Sequence, residues 1–139
     1  MLIGIDDTDI PGSRGTGKLA RHLASDLETC GLGGSLSVTR HQLLVHPRIN
    51  YTSHNSAACL VLVSHQEPHS VLQYCKIFLS DHFIPGSNPG LCVLDNSQVT
   101  PDAIDFGRSA RDTVLCVEQA YRVARESGAL VEALGRTGE

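Results

Sequence analysis

Three observations predict an α+β chain of split β-α-β type. Short apolar runs and amphipathic stripes alternate in the order strand, helix, strand, strand, helix, strand, with a further helix behind them. Each helical stretch carries one apolar stripe, so it has one face to bury against a sheet. Glycine and proline clusters separate the segments where a chain must turn.

Leu2 to Ile5 reads as a short buried strand that ends where a run of aspartates begins. From about Gly15 a helix follows, with Leu19, Leu23 and Leu27 at i, i+4 and i+8 and Ala20 and Ala24 beside them. Gly31-Leu32-Gly33-Gly34 stops it. Leu36 to Val45 is the next strand, with Leu36, Val38 and Leu43 to Val45 as its apolar members, and Ala57 to Val63 is a continuous apolar run suited to a buried strand. Pro68 opens a second helix, whose apolar face is Val71, Leu72, Cys75, Phe78 and Leu79. The loop Pro85 to Gly90 leads to a fourth strand, Leu91 to Leu94. A third helix is expected from about Arg111 to Glu126, with Val114, Val117, Tyr121 and Ala124 on one stripe and Gly128 as its stop. The order β-α-β-β-α-β plus a C-terminal helix is that of a ferredoxin-like sandwich. No repeat or linker interrupts residues 1–139, so a single domain is expected.

Composition narrows the function classes. Apolar residues make up 41% and charged residues 19% of the 139, which suits a globular chain. The formal net charge of −4 gives no global basic footprint for nucleic acid, and the scarcity of aromatic residues leaves few platforms for stacking bases. The five cysteines are odd in number and form no C-x-x-C pair, which argues against a zinc ribbon or a disulfide framework and for a reducing compartment. Most of them read as small core residues. With a strand at the very N-terminus and no apolar run long enough for a membrane, a cytoplasmic protein is expected.

The chemistry concentrates at the end of the first strand. Asp6, Asp7 and Asp9 lie within four residues, and such a cluster repels itself unless a cation joins it. The run Gly12-Ser13-Arg14-Gly15-Thr16-Gly17-Lys18 follows and leads into the first helix. Backbone N–H groups at a helix N-terminus receive phosphate, and Mg²⁺ takes carboxylate oxygens together with substrate phosphates. The pattern reads as a Mg²⁺–nucleotide site, and the alternative is a solvated acidic turn. A true P-loop does not fit. The run matches G-x-x-x-x-G-K, but Leu19 stands where a metal-binding Ser or Thr belongs, and the interval from strand to Gly12 is too long. Thr16 is either a hydroxyl at the helix mouth or one aimed at a terminal phosphate, and Arg14 and Lys18 flank it as cations. The connection from His46 to Ser56 is the second polar concentration, with Arg48, Tyr51, His54 and Asn55 as a candidate substrate loop or as ordinary connecting residues. The histidines show no H-x-x-x-H, and no nucleophile elbow is present, so zinc and hydrolase chemistry have no support.

Gly4-Ile5-Asp6-Asp7-Thr8-Asp9, then Arg14-Gly15-Thr16 and Leu19-Ala20, resemble the opening of the archaeal tRNA-isoleucine agmatidine synthetase family, in its N-terminal kinase-like domain. Pro47 to Asn55 is similar to that family's Pro-x-Ile-Pro-Tyr-Lys-Thr-x-Gly-Asn segment but altered and one residue shorter, and Ser87-Asn88-Pro89-Gly90 resembles its Asn/Asp-Pro-Gly turn. Leu134 to Glu139 is similar to the start of its glycine-rich segment, cut off early. The resemblance implies ATP and Mg²⁺ as cofactors, held through Asp6, Asp7 and Asp9, with Thr16 matching a threonine that takes the γ-phosphate. Arg14, Gly15, Thr16, Gly17 and Lys18 would then form the phosphate cradle, with Asp6, Asp7 and Thr16 as the catalytic set. It further implies a part in tRNA modification, with tRNA or a partner chain supplying RNA-binding domains as the partner. The loss of the Lys-Thr and Gly-Asn elements leaves a non-catalytic nucleotide- or ligand-binding regulatory module as the alternative.

Overall fold

A computed structural model describes residues 1–52 and 54–135. The predicted strands and the first two helices form in the expected order: β1 (Leu2–Asp6), α1 (Thr16–Thr29), β2 (Gly34–Gln42), β3 (Ser56–Val63), α2 (Pro68–His82) and β4 (Gly90–Leu94). The sheet order is β2-β3-β1-β4-β5, antiparallel throughout, so the central β1 lies between β3 and β4. The first four strands have the split β-α-β arrangement.

Period-2 alternation decides what the sheet buries. Ile3 and Ile5 of β1, Ala58, Leu60 and Leu62 of β3, and Leu91 and Val93 of β4 are all buried on one face. The helical stripes read from the sequence pack with them, since Leu19, Leu23 and Leu27 of α1 and Val71, Leu72, Cys75, Phe78 and Leu79 of α2 join the same core. At the start of β2, a Cβ on Gly33 would stand 2.5 Å from the Val63 carbonyl oxygen, so only glycine lets the chain turn back so closely beside β3.

The structure corrects the reading in several places. Leu36 is 72% exposed, because the register slips between Ser35 and Ser37 and a bulge there turns it out of the alternation. β2 ends at Gln42, so Leu43 to Val45 belong to the connection. An unexpected helix α3 (Pro101–Ser109) precedes the one expected from Arg111 to Glu126, which itself forms only from Val117, as α4 (Val117–Ser127), and leaves Val114 outside any helix. The Thr100 hydroxyl caps Ala103 N–H at 3.2 Å and Pro101 takes the first turn of α3; Gln119 accepts from Cys116 N–H at 2.8 Å and restarts the helix as α4. Gly128 does stop α4, in the left-handed conformation at φ 70°, and it leads to the unexpected fifth strand β5 (Leu130–Ala133), paired with β4. Of the cysteines only Cys75 is buried; Cys59 and Cys92 are half-buried, Cys30 and Cys116 are exposed, and all are thiols.

Candidate functional site

One cavity of about 580 Å³ opens where β1 ends, α1 begins and the β2–β3 connection passes over. That lies within the roughly 300–1,000 Å³ common to small-molecule sites. Asp6, Asp7, Asp9, Gly15, Thr16, Gly17 and Lys18 all line it, and Tyr51, His54 and Asn55 face them from the connection. The acidic run and the glycine run, adjacent in sequence, are thus brought onto one hollow.

The acidic loop is held tightly. Asp7 N–H donates to Asp6 Oδ1 at 2.7 Å, and Asp7 itself sits at φ 48°, a left-handed conformation that a non-glycine residue adopts at a cost. Thr8 and Thr16 are buried, and their hydroxyls form a chain: Thr8 donates to Thr16 Oγ1 at 3.0 Å, and Thr16 donates to Asp9 Oδ1 at 3.1 Å. Burial pushes the Asp6 carboxyl up from 3.8 to about 6, with the charges of Asp7 and Asp9 adding to the rise. Burial also raises Asp7, offset by hydrogen bonds from Asn88.

Gly15 caps α1 without a side chain, and the first turn of the helix carries no acid. The N-terminal turn of α1 lies at the cavity, with the Asp9 carboxylate beside it at Thr16, and the first amides of a helix, which have no partner within it, can receive an anion.

Two predicted residues point elsewhere. The Arg14 guanidinium donates to the His82 carbonyl at 2.8 Å, tying the glycine run to the end of α2, and Arg14 does not line the cavity. Arg48 also lies outside the lining, with its N–H bonded to His46 Nδ1 at 3.1 Å. The Asn55 side chain donates to the Leu44 carbonyl, so its amide closes the connection.

Two cations that the sequence reading missed do line the cavity, Arg21 and Arg40. Arg21 lies one turn beyond Gly17 and Lys18 on α1. Arg40 pairs with Ala58, which pairs with Ile5, so it stands on the inward-facing row of the sheet. Its Nε donates to Ser56 Oγ at 2.9 Å and one terminal nitrogen to Gln42 Oε1 at 3.4 Å, which fixes the guanidinium and leaves donors for a ligand. The alternation Val38, Arg40 was the available signal, a charge on a strand position that should be apolar.

The cavity thus holds three acids on the β1 loop and three cations, Lys18, Arg21 and Arg40, on α1 and β2. Among the described residues the ion pairs are Lys76–Glu132 and Arg108–Asp105, so none of these six charges is neutralised by another. Hard oxygens of the kind Mg²⁺ takes are present, but among the described residues no three carboxylate, His or Cys groups are gathered around one point. The donor set fits a metal held by one or two carboxylates with water and phosphate oxygens supplying the rest.

The fold and cavity define a ferredoxin-like domain with a cavity lined by charges of both signs. No family model matches the sequence, and no curated protein does. Among solved structures, the chain is similar to apo TiaS, an agmatidine synthetase acting on an isoleucine tRNA, with a TM-score of 0.80 and 19% identity over 99% of this chain and 32% of that one. It is also similar to TiaS in complex with that tRNA and ATP (TM-score 0.79, 22% identity, 99% and 32% covered) and to a tRNA fluorescent labeling enzyme (TM-score 0.81, 21% identity, 97% and 32% covered). The chain spans about a third of the length of these proteins, and at this identity the likeness is one of fold. The part of the predicted glycine-rich segment from Arg136 to Glu139 lies outside the described residues, as does Ser53. Among the described residues no helix is long and apolar enough to cross a membrane.

Proposed function

We propose that this chain binds ATP with a divalent cation in the cavity at the end of β1, and that it serves as the ATP-handling part of a tRNA-modifying system. The observation that carries the reading is that charges of both signs line one hollow. Asp6, Asp7 and Asp9 line it from the end of β1 and the loop after it, and Lys18, Arg21 and Arg40 from α1 and β2, with no ion pair between them. A polyphosphate carrying its own cation answers both sets at once. Its metal meets the carboxylates, and its phosphates meet the cations and the open amides of α1.

Asp6 and Asp7 would hold Mg²⁺, with Asp9 beside them; the bound ion would neutralise charge developing on the phosphate oxygens. Gly15, Thr16 and Gly17 would receive phosphate through backbone N–H groups, and Lys18 through its ammonium. Asp9 accepts a hydrogen bond from the Thr16 hydroxyl and would take its proton if that oxygen attacked a phosphate. ATP and tRNA come to this chain from the TiaS complexes, where both are present beside the same fold. With a formal net charge of −4, the chain would reach an RNA through domains on a partner.

A second reading is a nucleotide-binding regulatory module without turnover, and one observation favours it. The Thr16 hydroxyl is bonded on both sides, to Thr8 and to Asp9, and is nearly out of reach of solvent.

Thermal unfolding with ATP, GTP or neither, each with and without Mg²⁺, tests the binding. A ligand at a hundredfold excess over Kd stabilises by about 2.7 kcal/mol. A shift that needs both ATP and Mg²⁺ is expected, and the absence of any nucleotide shift removes the proposal. Mass spectrometry after incubation with Mg²⁺ and ATP then separates the two readings: added phosphate on Thr16, or release of ADP, excludes the regulatory module.

A further inference from the structure

The chemistry of the cavity lining changes along the chain. The acids and cations come from β1, the loop after it, α1 and β2, whereas the connection between β2 and β3 contributes Leu43, Ile49, Asn50 and Tyr51 and no Asp, Glu, Lys or Arg. Tyr51 is the only Phe, Tyr or Trp among the described lining residues, and it is 44% exposed. The sequence offers few rings on which a base can stack, and the fold sets one of them at the cavity.

The connection that carries this ring is pinned where it leaves the sheet and where it returns. Leu43 N–H donates to the Asn55 carbonyl at 2.8 Å, and the Gln42 side chain donates to the same carbonyl at 2.8 Å and to that of Leu43 at 3.1 Å. The Asn55 side chain donates in turn to the Leu44 carbonyl. Leu44 N–H reaches the Ala110 carbonyl just after α3 at 3.1 Å, and Ile49 N–H closes a turn on the His46 carbonyl at 2.9 Å. Tyr51 is therefore presented from a connection whose base is anchored to the sheet and to the end of a helix.

We propose that Tyr51 is the platform on which the base of a bound nucleotide stacks, so that the connection takes the base while the acids and cations take the metal and the phosphates. The inference rests on the reading of the cavity as a Mg²⁺–ATP site. It adds what tells a nucleotide from a bare polyphosphate there. Charge alone does not, because tripolyphosphate with its metal offers the acids and cations the same groups to meet. A base has a flat π face and no net charge, and an uncharged stretch of lining that carries an exposed ring answers it. Every base has such a face, so Tyr51 separates nucleotides from polyphosphate rather than one base from another.

The test measures, by calorimetry in excess Mg²⁺, the affinity of the full chain for ATP and for tripolyphosphate. The variants are Tyr51→Ala, Tyr51→Phe and, as a control, Tyr121→Ala, which removes an exposed ring on α4 that does not line the cavity. The unaltered chain is expected to bind ATP about fivefold or more tightly than tripolyphosphate, the scale of one stacked base. Tyr51→Ala is expected to remove that preference and leave the tripolyphosphate affinity where it was, whereas Tyr51→Phe and Tyr121→Ala keep it. An ATP preference that survives Tyr51→Ala overturns the proposal, and so does an equal loss for both ligands. Tyr51→Phe behaving like Tyr51→Ala also overturns it, because the hydroxyl and not the ring would then be at work. If the unaltered chain binds ATP and tripolyphosphate equally, the stacking role fails while the metal and phosphate site stands. If it binds neither, the nucleotide reading fails and the role of Tyr51 falls with it.

Discussion

Asp6→Asn separates the needs of the site from those of the fold. The carboxyl lies at the end of the central strand, raised from 3.8 to about 6 by burial first and by Asp7 and Asp9 second. A carboxyl raised in the folded state favours folding in its protonated form. That contribution is complete below pH 3.8 and is lost as the pH rises through about 6. At neutral pH the ionised group therefore works against the fold. The displacement corresponds to at most about 3 kcal/mol, and because Asp6 keeps partial contact with water, about 1–2 kcal/mol is expected. Asparagine has the same shape, and its oxygen still accepts the Asp7 N–H. Asp6→Asn should therefore raise the stability of the ligand-free chain by about 1–2 kcal/mol at pH 7.5, or about 3–8 °C. The gain should vanish below about pH 4. With Mg²⁺ and ATP the order should reverse, since the variant loses the ligand-dependent shift. Denaturant unfolding from pH 4 to 8, with and without Mg²⁺–ATP, follows both effects. A variant that is less stable at pH 7.5, or one whose gain does not change with pH, would refute the account of Asp6 as a desolvated and repelled acid.

Other changes probe the remaining parts. Arg40→Ala and Arg21→Ala should each weaken ATP binding about 5- to 30-fold, with the loss shrinking at high salt; calorimetry at two ionic strengths reads this. Thr16→Val leaves the buried Thr8 hydroxyl without its acceptor and should cost about 1–3 kcal/mol, while Thr16→Ser should restore both stability and any phosphate uptake. Leu27→Ala removes a fully buried side chain where α1 meets the sheet and should cost about 2–5 kcal/mol in denaturant unfolding, with no change in nucleotide affinity once folded.

The sandwich was legible because its apolar pattern has a period. Ile3 and Ile5 alternate, Leu19, Leu23 and Leu27 repeat at four, and the structure buries all five. The C-terminal third was not legible from periodicity alone. Val114, Val117 and Tyr121 mimic a stripe, yet Val117 is 51% exposed and Val114 lies outside any helix. The true boundary signals were the Thr100-Pro101 cap and the Cys116–Gln119 box, which depend on single residues. At the site, the acidic and glycine runs were visible because they are contiguous in sequence. Arg21 and Arg40 were not, because only the register β2-β3-β1 and the rise of α1 bring them to the same hollow. Arg14 shows the converse, since its neighbours in sequence suggested a phosphate ligand and its reach carries it to the end of α2.

The position of β1 in the middle of the sheet has a consequence for a chain being made. Every cavity residue falls between Asp6 and Ala58, so the whole site is synthesised before β4. Yet β1 has β3 on one side and β4 on the other, and Ile5 meets Leu91 only after α2 has been synthesised. Until then the second edge of β1 has no partner, and the row of backbone donors beside the aspartates is a template for any passing strand. The charged loop at the end of that strand makes a poor neighbour for a second copy of itself.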